Sequence, residues 1–150
     1  FIELGVDTND IHKKVYQSVP YEKLKLMGEI LQNINFNLNG KLAWFIIDQD
    51  ILKSSNSNIE HLGGFTDTIR SIKGVEVAIM LHEYSKYKTR INFRSKGNGK
   101  IHKLAQRFGG GGRPFASGAM INQSIKIVRE AVVSATVSEI NKQIYGKDVI

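Results

Sequence analysis

The chain has 150 residues, 41% hydrophobic and 23% charged, which is enough for one sizeable core and fits a single compact α/β domain. It has no cysteine, so disulfides and thiolate metal sites are excluded. No run approaches the ~20 apolar residues of a membrane span, and the first residues lack the basic-then-apolar pattern of a secretory signal, so a soluble, cytoplasmic protein without a membrane partner is expected. A net charge of +7 favours anionic partners, with nucleic acids and nucleotides first. Excess lysine also keeps a domain soluble, so charge informs only where it converges on a site.

The chain opens on Phe1 and runs at once into Glu3-Leu4-Gly5, the look of a sequence entered in mid-protein. Thr8-Asn9-Asp10 offers capping side chains ahead of a short helix from Ile11 to Tyr16 that stops near Pro20. Leu24, Met27, Leu31 and Ile34 recur at helical spacing, predicting an amphipathic helix over residues 21 to 35. The Asn-rich run that follows ends in the turn signal Asn39-Gly40.

Leu42 to Ile47 is a continuous apolar run of strand length, as expected of a central strand covered on both faces. Asp48 and Asp50 stand just after it and most simply cap a helix beginning there. Ser54 to Asn58 is a polar loop. A short helix over Phe65 to Ile72 closes at Lys73-Gly74, and Asp67 falls in its first turn. Val75 to His82 and Thr89 to Phe93 are predicted as an antiparallel hairpin with a polar turn at Tyr84 to Lys88. A helix over Lys100 to Phe108 meets Gly109, Ala116 to Ile121 returns to the sheet, and a long helix runs from about Gln123 to Tyr145. The expected fold is a mixed β-sheet flanked by helices. Periodicity leaves the last helix free to pack on its own sheet or against a second copy.

Two segments carry candidate chemistry. Gly109, Gly110, Gly111 and Gly112 precede Arg113 and Pro114; such glycines let backbone amides approach an anion, and Arg113 would add a fork of donors suited to phosphate. A flexible loop has the same glycine content. The Gly-Lys-Ser/Thr of a P-loop is missing, and the glycines follow a helix, not a first strand as in a dinucleotide-binding fold. The second segment is Arg94-Ser95-Lys96, where a strand runs out into Gly97-Asn98-Gly99; a solvated strand end would look the same. His12, His61, His82 and His102 are scattered, without partners at metal-ligand spacing, and no nucleophile elbow appears. Ala116-Ser117-Gly118-Ala119 supplies small residues for close packing.

Ile91-Asn92-Phe93-Arg94-Ser95-Lys96-Gly97, then Lys100 to Phe108, then GGGGRPFASGA, closely resembles the DHH-associated carboxyl-terminal domain of nanoRNase and oligoribonuclease-like phosphoesterases. Gly63-Gly64-Phe65 and Ile72 to Val77 also sit where that family has its linker helix and strand. The resemblance implies a helical linker over residues 1 to 40 and a substrate-binding domain over 41 to 150. It further implies a separate amino-terminal partner domain, whose Asp-His-His motif and acidic residues hold two manganese ions.

The implied substrates are short oligonucleotides, linear or cyclic dinucleotides, or adenosine bisphosphate. Arg94, Ser95 and Lys96 with Gly109 to Gly112 and Arg113 would contact them, with no catalytic or metal-binding residue in this chain. Arg113 stands where nanoRNase members usually have histidine, and arginine cannot shuttle a proton near neutrality. The Gly-Gly-Gly-Arg-Pro string also resembles the carboxyl-terminal domain of alanyl-tRNA synthetase. That leaves a second expectation, a non-catalytic RNA-binding module with Lys96, Lys100, Lys103, Arg107 and Arg113 as one basic face.

Overall fold

The computed structural model describes residues 19–57, 62, 64–97 and 99–146; the helix expected at Ile11 to Tyr16 lies outside them. The chain forms α1 (Tyr21–Gln32), β1 (Asn35–Asn37), β2 (Leu42–Ile47), α2 (Gln49–Ser54) and α3 (Phe65–Arg70). It continues through β3 (Val77–Ser85), β4 (Lys88–Ser95), α4 (His102–Arg107), β5 (Gly111–Arg113), β6 (Ala116–Ile121) and α5 (Ile125–Tyr145). The strands make one six-stranded mixed sheet in the order β1-β2-β3-β4-β6-β5. Only β2 and β3 are parallel, and the other neighbours run antiparallel. The α/β architecture expected from the sequence is therefore present.

Two hydrophobic clusters divide by strand parity, because successive side chains of a strand point to opposite faces. Leu42, Val77, Ile79, Leu81, Ile91 and Phe93 pack with Leu104 of α4 and with Val128, Val132 and Ile140 of α5. Ala43, Phe45, Ile47, Ala78 and Met80 pack on the other face with Leu26 and Ile30 of α1, Leu52 of α2, and Phe65 and Ile69 of α3. β2 and β3 are thus covered on both sides, which is why Leu42 to Ile47 reads as unbroken apolar sequence. Asp48 caps α2 as expected, its Oδ1 accepting the Ile51 N–H at 2.8 Å.

Three local expectations change. α1 buries Leu26 and Ile30, while Leu24 and Leu31 are 60% and 49% exposed; the helix docks with its apolar stripe rotated from the one the spacing favoured. The Asn-rich segment after α1 contains β1, whose Asn37 Oδ1 accepts the Trp44 indole N–H at 2.7 Å. α1 packs in the core and β1 pairs with β2. Only the first half of the glycine run is a loop: Gly109 and Gly110 lead out of α4, and Gly111–Arg113 is the edge strand β5, joined to β6 through Pro114-Phe115.

Candidate phosphate-binding floor

The geometry of the site follows from strand register. Arg94 pairs with Ala116, which pairs with Arg113; Asn92 pairs with Gly118, which pairs with Gly111; Arg90 pairs with Met120. Directly opposed residues share a face, so these eight residues form rows on one side of β4, β6 and β5. It is the face of Ala78, Met80 and His82, which oppose Arg94, Asn92 and Arg90 across β3. The main contacts of α1, α2 and α3 on that face stop at β4, whereas α4 packs against β5 and β6 from the other side. A quadrant of the sheet is left without a helix. Its floor is made of small residues, Ala116, Gly118 and Gly111, with arginines at its borders.

Adjacent strands lie about 4.8 Å apart, so the Arg94 and Arg113 backbones stand about 10 Å apart across β6, within reach of one phosphate by two long side chains. Arg94 is already positioned. Its Nη1 donates to the Phe93 carbonyl at 2.8 Å, and its Nε lies 3.4 Å from Asp67 Oδ1, which also meets Arg70 Nη2 at 3.1 Å. Arg113 is exposed and makes no ion pair among the described residues.

The other residues singled out from the sequence sit differently. Ser95 is buried on the opposite face, where its hydroxyl donates to the Gly99 carbonyl and accepts the Gly97 N–H; it closes a turn. Lys96 Nζ donates to the Ile72 carbonyl at 2.8 Å, and its N–H to the Glu76 carbonyl. Gly109, at φ +84, ends α4 in the left-handed conformation, and the Gly110 N–H is taken by the Ala105 carbonyl at 2.8 Å. A Cβ on Gly110 would overlap the Gly118 carbonyl; one on Gly112 would lie 2.6 Å from Ser117 Cα.

Gly111 differs, since its Cβ would meet nothing within 4 Å and its φ is not positive. Neither packing nor backbone conformation requires glycine there, and the open space above it belongs to the floor. As part of an edge strand, β5 also leaves alternate amides unpaired by the sheet.

The structure therefore brings together Arg94, Gly111 and Arg113, and adds Arg90 and Asn92, to which sequence reasoning gave no role, and Gly118, to which it gave only the close packing seen here. Their signal was the period-2 alternation of Arg90, Asn92 and Arg94 with Ile91 and Phe93. Lys100, Lys103 and Arg107 lie at or on α4, across the sheet from Arg113, so they do not form one basic face with it. A cavity of about 660 Å³ lies beside Trp44 and α5, away from the floor. There Arg129 faces the neighbouring Glu130 at 3.9 Å, which does not make an anion site.

His82, on the floor's face, is 3% exposed. Burial holds its pKa below the ordinary value of 6.5, with Arg90 adding to the effect and Glu83 opposing it. Among the described residues, no three His, Asp or Glu side chains are grouped to hold a metal ion, and no helix is long and apolar enough to cross a membrane.

Comparison with known proteins places this arrangement. The family model of the DHHA1 domain matches residues 13–146. The chain belongs to the DHHA1 family. It is 30% identical over 120 residues to the bifunctional oligoribonuclease and PAP phosphatase NrnA of Bacillus subtilis, covering 80% of this chain and 37% of that protein. It is 33% identical over 102 residues to the probable NrnA of Streptococcus mutans, covering 68% and 32%. The chain thus spans about a third of the length of these curated relatives.

Among solved structures, an exopolyphosphatase-related protein from Bacteroides fragilis superposes with a TM-score of 0.79 at 26% identity, covering 93% of this chain and 42% of that one. A pGpG-specific phosphodiesterase, PggH, from Vibrio cholerae shares the fold, with a TM-score of 0.57 at 14% identity, 95% of this chain and 45% of that one. The DHHA1 assignment bears out the resemblance to the nanoRNase branch drawn from residues 91 to 119.

Proposed function

We propose that this DHHA1 domain is the substrate-holding part of a phosphoesterase acting on short oligonucleotides or adenosine bisphosphate, and that the uncovered floor on β4, β6 and β5 receives a substrate phosphate. The observation that carries this reading is the convergence, by strand register, of Arg94 and Arg113 on either side of Gly111 and Gly118. Two guanidiniums bordering a floor without bulky side chains suit a tetrahedral anion, because arginine's planar fork pairs with phosphate oxygens. Naming NrnA proteins as oligoribonucleases and PAP phosphatases supports a nucleotide ligand.

Arg94, fixed by Asp67 and the Phe93 carbonyl, orients the phosphate, and Arg113, unpaired among the described residues, closes over it. Gly111 lets the ligand approach the edge-strand backbone. The described residues assemble no carboxylate-and-histidine centre and do not fit the two manganese ions that the family resemblance implies. Within this reading, the chain's residues bind and position, and the hydrolytic step belongs to groups outside them. Arginine in place of the usual histidine is consistent with that division, since it supplies charge and directional donors but no titrating proton.

Calorimetric titration with a 5′-phosphorylated dinucleotide tests the reading. Arg113→Ala should weaken binding about tenfold or more, as expected for a charged hydrogen bond worth roughly 1.5–3 kcal/mol, with folding unchanged because the side chain is exposed. Equal affinity of the variant and the wild type would remove Arg113 from the site. Affinity that falls equally steeply with salt in both proteins, with no loss on substitution, would instead mark general RNA binding.

A further inference from the structure

We infer that the β3–β4 turn is a second binding site on this domain, a stacking platform for unpaired bases of a single-stranded oligonucleotide whose terminal phosphate lies on the floor. The inference rests on the floor reading above and extends it to the length of the substrate. Ser85 pairs with Lys88, so Lys86 and Tyr87 form the tip of the hairpin. Tyr84 and Tyr87 are 50% and 65% exposed.

Each ring carries an ammonium over one of its faces, which leaves the other for a base. Lys88 Nζ lies 5.5 Å from the centre of the Tyr84 ring, and Lys86 Nζ lies 5.4 Å from that of Tyr87. An exposed aromatic face with an adjoining cation is the pairing that single-stranded nucleic acid selects, because bases stack on the ring while the cation meets the backbone phosphate. Residues 84 to 90 contain three cations and no acid. The nearest acid in sequence, Glu83, accepts the Gln49 N–H at 3.0 Å, turned toward α2.

The turn is joined to the floor by register. Lys88, Arg90, Asn92 and Arg94 alternate along β4 and so share one face, the face that β6 continues without a covering helix. Six residues of strand span about 20 Å, which sets the distance between the turn and Arg94. His82 stands edge-on to Tyr84, with centroids 6.1 Å apart at 73°, and braces that ring from the buried side. A dinucleotide seated at Arg94 and Arg113 ends short of the tyrosines, whereas a longer strand follows the basic side of β4 to reach them. Duplexes hide their base faces, so the platform selects single strands.

Affinities of 5′-phosphorylated oligonucleotides of two and of six residues, measured for wild type, Tyr84→Ala/Tyr87→Ala and Tyr84→Phe/Tyr87→Phe, test this. The wild type should bind the hexamer at least tenfold more tightly than the dimer, stacking energies being large on this scale. The alanine pair should lose that gain while keeping its dimer affinity, and the phenylalanine pair, which retains the rings, should keep the gain. A hexamer that binds no better than the dimer, or a gain that survives the alanine pair, overturns the platform and leaves the floor intact. Absence of dimer binding in the wild type overturns the floor and the platform's place beside it.

Discussion

Gly111 and Gly112 are neighbours in one short strand, yet they lack side chains for different reasons. Gly112, at φ +144, has Ser117 Cα where its Cβ would go, while nothing occupies that space at Gly111. Gly112→Ala should therefore cost roughly 1–3 kcal/mol through strain and overpacking, seen as a lowered midpoint in chemical denaturation. Gly111→Ala should unfold at the wild-type midpoint but lose dinucleotide affinity, because its methyl enters the floor. A Gly111→Ala protein that unfolds early would assign that glycine to packing after all.

His82 supplies a pH test at the same scale. Its folded pKa is depressed below its unfolded value, so the unfolded chain binds the extra proton. The neutral imidazole's contribution to stability is fully present above about pH 6.5. It declines as pH falls from there through the lower folded value. Melting temperature should drop on acidification across this window, and His82→Gln should flatten the drop. An unchanged slope in the variant would place the acid sensitivity elsewhere.

At the scale of elements, what was legible in the sequence depended on whether a local pattern had one physical solution. Leu42 to Ile47 read most simply as a strand covered on both sides, and Asp48 ahead of Ile51 as a cap, which it is. Ala116 to Ile121 fell where expected for the same reason. α1 carried two overlapping apolar stripes, and docking on Phe45 and Ile47 chose Leu26 and Ile30 over Leu24 and Leu31, a choice made by tertiary packing.

The glycine run was opaque in another way. Glycine disfavours strands, and β5 exists because β6 pairs with it and because close approach at Gly110, Gly112 and Gly118 excludes any Cβ. Of the residues that line the candidate site, Arg94, Gly111 and Arg113 had been singled out by residue type and resemblance. Ser95 and Lys96 lie beside Arg94 in sequence but point elsewhere, since parity turns Ser95 to the buried face and Lys96 reaches back to Ile72. Arg90 and Asn92 were written in the alternation of β4 and needed only that parity to be found.

On the scale of the whole molecule, the proposed site is defined by what the helices do not cover. α4 and α5 take one face of the sheet, while α1, α2 and α3 take the other from β2 as far as β4, where Asp67 of α3 meets Arg94, so β6, β5 and the remainder of β4 present an open, arginine-bordered quadrant. No single residue specifies that opening, which is why composition pointed only to anions and not to a place. The chain covers about a third of the length of its curated relatives.

The central claim is that this quadrant is a bounded phosphate site. An NMR titration of the chain with a 5′-phosphorylated dinucleotide tests it most directly, following the amides of Asn92, Arg94, Gly111 and Arg113 together with those of Lys103 and Arg107 across the sheet. Saturable shifts confined to the first group, and abolished by Arg113→Ala, are the predicted result. Shifts spread over the lysines and arginines of both faces, or concentrated on α4, would contradict it.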